Sequence, residues 1–128
     1  MGEPGPARVM REPGPNHPIA LAPADGRVVV RFAGMVIADS AAALRMRETS
    51  LPEVLYVPRG DARMELLVRS ATQSHCPYKG EASYYSIVVA GREGRDAVWS
   101  YENPYPAMAA IGGYLAFYPD RVDAIEVS

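Results

Sequence analysis

The sequence contains very little cysteine, histidine and lysine. Its single cysteine, Cys76, rules out an internal disulfide, which is typical of a reducing compartment. One cysteine and two histidines, His17 and His75, are too few for the usual zinc sites, so we expect no metal and no bound cofactor. The only lysine is Lys79, and every other basic residue is an arginine. The sequence also lacks a GxSxG nucleophile turn, a P-loop and a GxGxxG motif.

The chain has no large excess of charge of either sign. Its net charge of −2 argues against the basic surface that nucleic-acid binding requires. No apolar run approaches the roughly 20 residues of a membrane span. Residues 1–18 are polar and rich in Pro and Gly, without the apolar centre of a signal peptide. We therefore expect a cytoplasmic protein without nucleic-acid or membrane partners, and the oligomeric state stays open.

The sequence is rich in turn-forming residues, which separate short apolar runs. Twelve prolines and eleven glycines are spread along the chain, which disfavours long helices. An apolar content of 48% in 128 residues is enough for one core and one domain. We predict an irregular arm over residues 1–18, followed over 19–128 by a single small mainly β domain of antiparallel strands. It would be sandwich-like or barrel-like, with one or two short helical turns.

Particular segments carry that prediction. Extended runs are predicted at residues 19–23, 27–32, 35–38, 41–48, 54–57, 82–89, 97–101, 114–118 and 122–127. Gly34 would supply the positive φ of a hairpin turn, and Leu44, Met46 and Glu48 alternate with polar residues as in a strand. Helical turns are predicted at 61–68, capped by Asp61, and at 104–110. Residues 72–80 are predicted to form a loop.

The segment from His75 to Gly80 (HCPYKG) holds both rare residues, three positions apart. Cys76 is a candidate catalytic nucleophile, because a nearby cation activates a thiol, but it could equally line a site or pack in the core. His75 is a poor candidate for its base, since neighbours on an extended chain face opposite ways. Lys79 would contact an anionic or polar ligand as a point charge, or form an ion pair with Glu65, Glu81 or Glu102.

Aromatic residues concentrate in the second half of the chain. If residues 97–102 pair with the strand that contains Tyr84, cross-strand contacts would bring Trp99 and Tyr101 towards the Lys79 loop. Tyrosines around a strand-built pocket suit a ligand that needs both stacking and hydrogen bonds. We predict a ligand-binding site made of Tyr78, Lys79, Tyr84, Trp99, Tyr101 and Glu102. The alternatives are an enzyme that uses Cys76, or an interaction domain without a small-molecule site.

Several motifs resemble those of one protein family and follow in the same order along the chain. They are Tyr56 to Arg59, then Cys76 to Gly80 with residues 82–85, then Trp99 to Glu102, and finally residues 111–122. Over residues 27–127 the chain resembles the family catalogued as domain of unknown function 427. The resemblance implies a small β domain similar to the β-tent architecture of Mss4-like proteins. Relatives of that architecture often hold zinc with two CxxC pairs, which this chain lacks.

The resemblance transfers no established activity. A nucleotidyltransferase-type label is sometimes attached to the family, and such enzymes resemble one another in a Gly-Ser loop followed by paired carboxylates that hold Mg²⁺. Here Gly60 and Asp61 with Glu65 are a poor match, because no Gly-Ser precedes the carboxylates and they stand four residues apart. This activity is therefore the weakest of the alternatives.

Overall fold

A computed structural model describes residues 9–128, and it confirms a single small, mainly β domain. Its ten strands are short and joined mostly by turns. They are β1 (Ile19–Pro23), β2 (Val28–Phe32), β3 (Met35–Ser40), β4 (Leu44–Glu48), β5 (Val54–Tyr56), β6 (Leu67–Cys76), β7 (Gly80–Val89), β8 (Arg92–Ser100), β9 (Ala116–Phe117) and β10 (Ala124–Val127). The helical parts are three 3₁₀ segments, Arg59–Asp61, Met64–Leu66 and Pro106–Ile111.

The strands form three antiparallel sheets. One has the order β1-β4-β5, a second the order β10-β2-β3, and the largest the order β6-β7-β8-β9. The predicted hairpin of β2 and β3 is confirmed, and its turn has positive φ at Ala33 (51°) and Gly34 (78°). The strand predicted after that hairpin is also confirmed, as β4, but it pairs with β1 and β5. This pairing places Glu48, the last residue of β4, in a different sheet from the hairpin.

Two local predictions are wrong. Residues 72–76 are the end of β6 and pair with the start of β7, so the connection is only the turn at residues 77–79. Most of β6 is exposed at the edge of its sheet, and therefore its sequence lacks the apolar alternation that identifies a strand. Asp61 caps no helix: the turn at Met64–Leu66 has no side-chain cap, and Asp61 accepts a hydrogen bond from Ser40 (2.7 Å). The helical segment predicted at 104–110 is confirmed, one or two residues later in the chain.

Apolar side chains bury into two clusters, and the four-stranded sheet contributes to both. Tyr85 and Val98 belong to the larger cluster, with the strands of the β10-β2-β3 sheet. Their neighbours Tyr84 and Trp99 pack against the smaller cluster, which also holds residues of β1, β4 and β5. Successive residues of a strand point to opposite faces, which explains this division. Three of the predicted site residues, Tyr84, Trp99 and Tyr101, belong to this smaller cluster or pack against it.

Among residues 9–128, no helix is long and apolar enough to cross a membrane. Residues 9–18 contain one small turn, in which Gly14 and His17 exchange backbone hydrogen bonds, and the rest of the predicted arm lies outside the described residues. The division of the chain at residue 18 and the β-tent likeness stay predictions.

Candidate functional site

Lys79 ends the tight turn between β6 and β7. Its backbone NH donates to the Cys76 carbonyl (3.3 Å), and its own carbonyl accepts from the NH of Tyr105 (2.9 Å). Gly80 follows with φ of +111°, a conformation that favours glycine. The turn thus holds the Lys79 side chain inward, and the residue is only 7% exposed.

Glu48 is the partner of that buried charge. The Nζ of Lys79 donates to Oε1 of Glu48, whose Oε2 accepts from Nε2 of His17 (2.7 Å). The same Nζ lies 3.8 Å from the Sγ of Cys76. The expected ion-pair partners of Lys79, namely Glu65, Glu81 and Glu102, are therefore replaced by a carboxylate from another sheet.

The surroundings favour the charged form of Glu48. Burial alone would raise the pKa of Glu48, but hydrogen bonds from Lys79 and His17 outweigh it and hold the pKa below its usual value. Both carboxylate oxygens are thus occupied by nitrogen donors. Lys79 and Glu48 form a charge-compensated pair whose side chains are 9% and 12% exposed.

Two buried tyrosines lie beside this pair. Burial raises the pKa of Tyr56 far above its usual value, and the nearby Glu48 and Cys76 act in the same direction. Burial likewise raises the pKa of Tyr101, with further contributions from Tyr56 and Cys76. At neutral pH both hydroxyl groups therefore keep their protons, and they are hydrogen-bond donors rather than bases.

A half-buried aromatic wall, made of Tyr84, Trp99 and Tyr118, continues the same face of the sheet. Tyr84 and Trp99 are cross-strand partners, as predicted. The Trp99 and Tyr118 rings are 4.4 Å apart, and the Tyr84 and Tyr118 rings are stacked at 6.5 Å. The Tyr84 hydroxyl hydrogen-bonds Ser74 (2.8 Å), and burial, with a hydrogen bond to Tyr84, raises the pKa of Tyr118 to about 12.

Glu102 contacts a different set of groups from Lys79 and the aromatic wall. Its carboxylate pairs with Arg59 (2.9 Å) and Arg69 (3.0 Å), and accepts from the Tyr85 hydroxyl (2.6 Å). It lines a polar cavity of about 330 Å³ together with Arg69, His75, Glu81, Ser83, Asn103 and Tyr105. Lys79 and the aromatic wall do not line this cavity. The structure thus separates Glu102 from Lys79 and the aromatic wall, and it stacks the Tyr78 ring on His17.

Cys76 is half-buried and packs against the smaller apolar cluster. His75, next to it, hydrogen-bonds the Tyr105 hydroxyl through Nε2 (2.7 Å) and lines the polar cavity. The two side chains therefore have different neighbours, as the extended conformation predicts. The ammonium group of Lys79 lies 3.8 Å from the thiol.

Trp99 also lines an apolar cleft of about 400 Å³ at the junction of the sheets. It is lined by the buried residues Val28, Val30, Val57 and Phe117. Among residues 9–128, the one charged residue that lines it is Glu53, which pairs with Arg47 (2.6 Å). A cleft of this size and polarity is in the range of small-molecule sites.

Glu48, His17, Tyr56 and Tyr118 are not among the site residues predicted from the sequence. Glu48 carried a signal, because it follows Leu44 and Met46 in the alternating pattern and so puts a carboxylate on the apolar side of a strand. His17 carried none, since its contact with Glu48 joins residues 31 positions apart.

The two carboxylates considered as magnesium ligands, Asp61 and Glu65, have different partners. Asp61 accepts from Ser40, whereas Glu65 pairs with Arg63 (3.5 Å). Residues 9–128 contain no group of three or more Asp, Glu, His or Cys side chains that could hold a metal ion.

The fold and the site define a small antiparallel β domain with a buried Lys–Glu pair and a half-buried aromatic wall. The chain belongs to the family described as Domain of unknown function (DUF427), whose model matches residues 20–128. No curated protein matches the chain.

Proposed function

We propose that this protein binds a small polar ligand at the Lys79 site, defined as Glu48, Tyr56, Cys76, Lys79 and Tyr101 with the aromatic wall. The supporting observation is that a buried ion pair, a thiol and buried tyrosines from two different sheets lie close together. A buried ion pair adds little stability compared with apolar residues of similar size. Groups with perturbed pKa values that lie beside a specific charge partner often mark functional sites.

The charges favour a particular class of ligand. Glu48 compensates the charge of Lys79, so an anion would have to displace this carboxylate from the ammonium group. A neutral molecule that offers hydrogen-bond donors and acceptors meets no such competition. Trp99 and Tyr118 suit a planar ring, and the neighbouring cleft has room for an apolar part of the ligand. We therefore favour a neutral polar compound with an aromatic or heterocyclic ring.

A thermal-shift screen of neutral, ring-containing metabolites tests this function. At about 100 times its Kd, a ligand should raise the Tm by roughly 10 °C. Tyr101→Phe removes one hydrogen-bonding group and should weaken binding about tenfold, which roughly halves the shift. Tyr105→Phe is the matched control, because this hydroxyl contacts His75 outside the site. Equal shifts in Tyr101→Phe and the wild type would reject the site, and a panel without any shift would reject the function.

An enzyme that uses Cys76 is the second candidate, and the 3.8 Å contact between Nζ and Sγ favours it. A neighbouring cation stabilises a thiolate, which is the reactive form of cysteine. Lys79→Met should therefore slow iodoacetamide alkylation of Cys76 about tenfold near pH 7, whereas Lys79→Arg should keep most of the rate. Mass spectrometry measures both rates. If the two variants react equally fast, the charge of Lys79 does not activate the thiol.

A further inference from the structure

Residues 9–18 lie across the turn that carries Lys79. The NH of Arg11 donates to the Pro77 carbonyl (2.7 Å), and the NH of Thr49 donates to the Pro18 carbonyl (2.9 Å). Between these two points, Gly14 and His17 exchange backbone hydrogen bonds of 2.9 and 3.2 Å. The segment is thus attached to the domain on both sides of His17.

His17 contacts both sides of the site at once. Its Nε2 donates to Glu48, and its ring stacks on Tyr78 with 3.9 Å between the centroids and 3° between the planes. Glu48 in turn accepts from Lys79. One side chain of the segment therefore joins the turn between β6 and β7 to the end of β4, over the buried pair.

The family match begins at residue 20, so the segment that supplies His17 precedes the matched region. Apolar burial contributes little to its attachment, because Val9 is 59% and Met10 47% exposed. A segment held by a few polar contacts opens at far lower free energy than the whole domain unfolds. A segment with these properties can detach while the rest of the domain stays folded.

We propose that residues 9–18 form a strap that closes the Lys79 site, and that His17 fastens it through Glu48 and Tyr78. Opening of the strap gives access to Lys79 and Cys76, and its closure restores the full set of hydrogen bonds on Glu48. His17 is in this view a positioning residue, since it acts on the pair through the Glu48 carboxylate. The role of the strap in ligand entry rests on the proposed function, whereas its opening does not.

Because Lys79 is the only lysine, its acylation directly measures opening of the strap. The full-length protein is treated with an acetylating N-hydroxysuccinimide ester beside a lysine-containing reference peptide, and mass spectrometry follows the peptide that contains Lys79. His17→Ala removes a hydrogen bond to a charged group and should raise the rate about tenfold. Asn16→Ala, at an exposed neighbouring position, should leave it unchanged. An unchanged rate in His17→Ala would overturn the proposal.

Two further variants divide the contribution of His17. His17→Phe keeps a ring against Tyr78, and His17→Gln keeps a hydrogen-bond donor, so each should acylate at a rate between those of the wild type and His17→Ala. Low urea concentrations should hardly change the acylation rates of the wild type and of His17→Ala, because local opening exposes little surface. If the rate of His17→Ala instead rises steeply with urea, its labelling comes from global unfolding, and this result would overturn the strap.

The labelling experiment tests the strap and the ligand screen tests the proposed function, so either proposal can fail without the other. Faster labelling in His17→Ala without any ligand-induced shift would leave the strap standing and remove the proposed function. An unchanged labelling rate in His17→Ala together with a ligand-induced shift would support the ligand site and reject the strap.

Discussion

Lys79→Met is expected to lower the free energy of unfolding by about 3–5 kcal/mol, because it leaves the Glu48 carboxylate buried without its main partner. Methionine fills a similar volume, so the loss reports the charge rather than a cavity. Adding Glu48→Leu should recover most of that loss, since an apolar pair of similar size is about as stable as a buried ion pair. Urea denaturation of both single variants and the double variant measures the coupling.

The pH dependence checks the same interaction. In the wild type the pKa of Glu48 is lowered, so its contribution is complete above about 4.5 and is lost as the pH falls through the folded-state pKa. Without Lys79, burial favours the protonated carboxyl, which becomes available at low pH. The stability difference between the wild type and Lys79→Met should therefore narrow below about pH 4.5. Arg47→Met, which removes an exposed pair with Glu53, is the control and should cost under about 1 kcal/mol.

The parts of the fold that the sequence predicted correctly are those with a strong local pattern of residues. The β2–β3 hairpin followed from β-branched runs around Ala33-Gly34, and most of β7 and the second half of β8 from equally strong runs. Residues 92–96 were not predicted as a strand, but they form the first half of β8. β6 was missed because its polar, exposed residues become a strand only through pairing with β7. The assembly of three sheets depends on contacts between distant residues, which local propensity does not contain.

The sequence predicted only some of the residues of the candidate site. The motif around Cys76 and Lys79, and its approach to Tyr84 and Trp99, followed from rarity and strand pairing. The groups that complete it, Glu48 and His17, come from segments more than 25 residues earlier. Their positions depend on how the β1-β4-β5 sheet packs against the largest sheet. Glu102 follows Tyr101 directly, but it contacts Arg59, Arg69 and Tyr85 instead.

Gly80→Ala is expected to cost about 2–3 kcal/mol and to disturb the turn that holds Lys79 inward. The φ of Gly80 is +111°, beyond the narrow left-handed region near +50 to +70° that other residues enter. A Cβ there would be in ordinary van der Waals contact with the Tyr105 nitrogen (3.4 Å) and the Pro104 Cα (3.5 Å), so the cost comes from the backbone conformation. Relief of the backbone strain would therefore move residues 77–79 relative to Tyr105.

Gly91→Ala is the matched control. Gly91 also has a positive φ, +82°, but a Cβ there would meet no atom within 4 Å, and its turn lies between β7 and β8. This variant should cost about 1 kcal/mol and leave the acylation rate of Lys79 unchanged. Gly80→Ala should instead raise that rate even in the absence of urea, because a displaced turn exposes the ammonium group. Equal costs for the two variants, measured by denaturation, would mean that Gly80 is needed only for turning the chain and not for positioning Lys79.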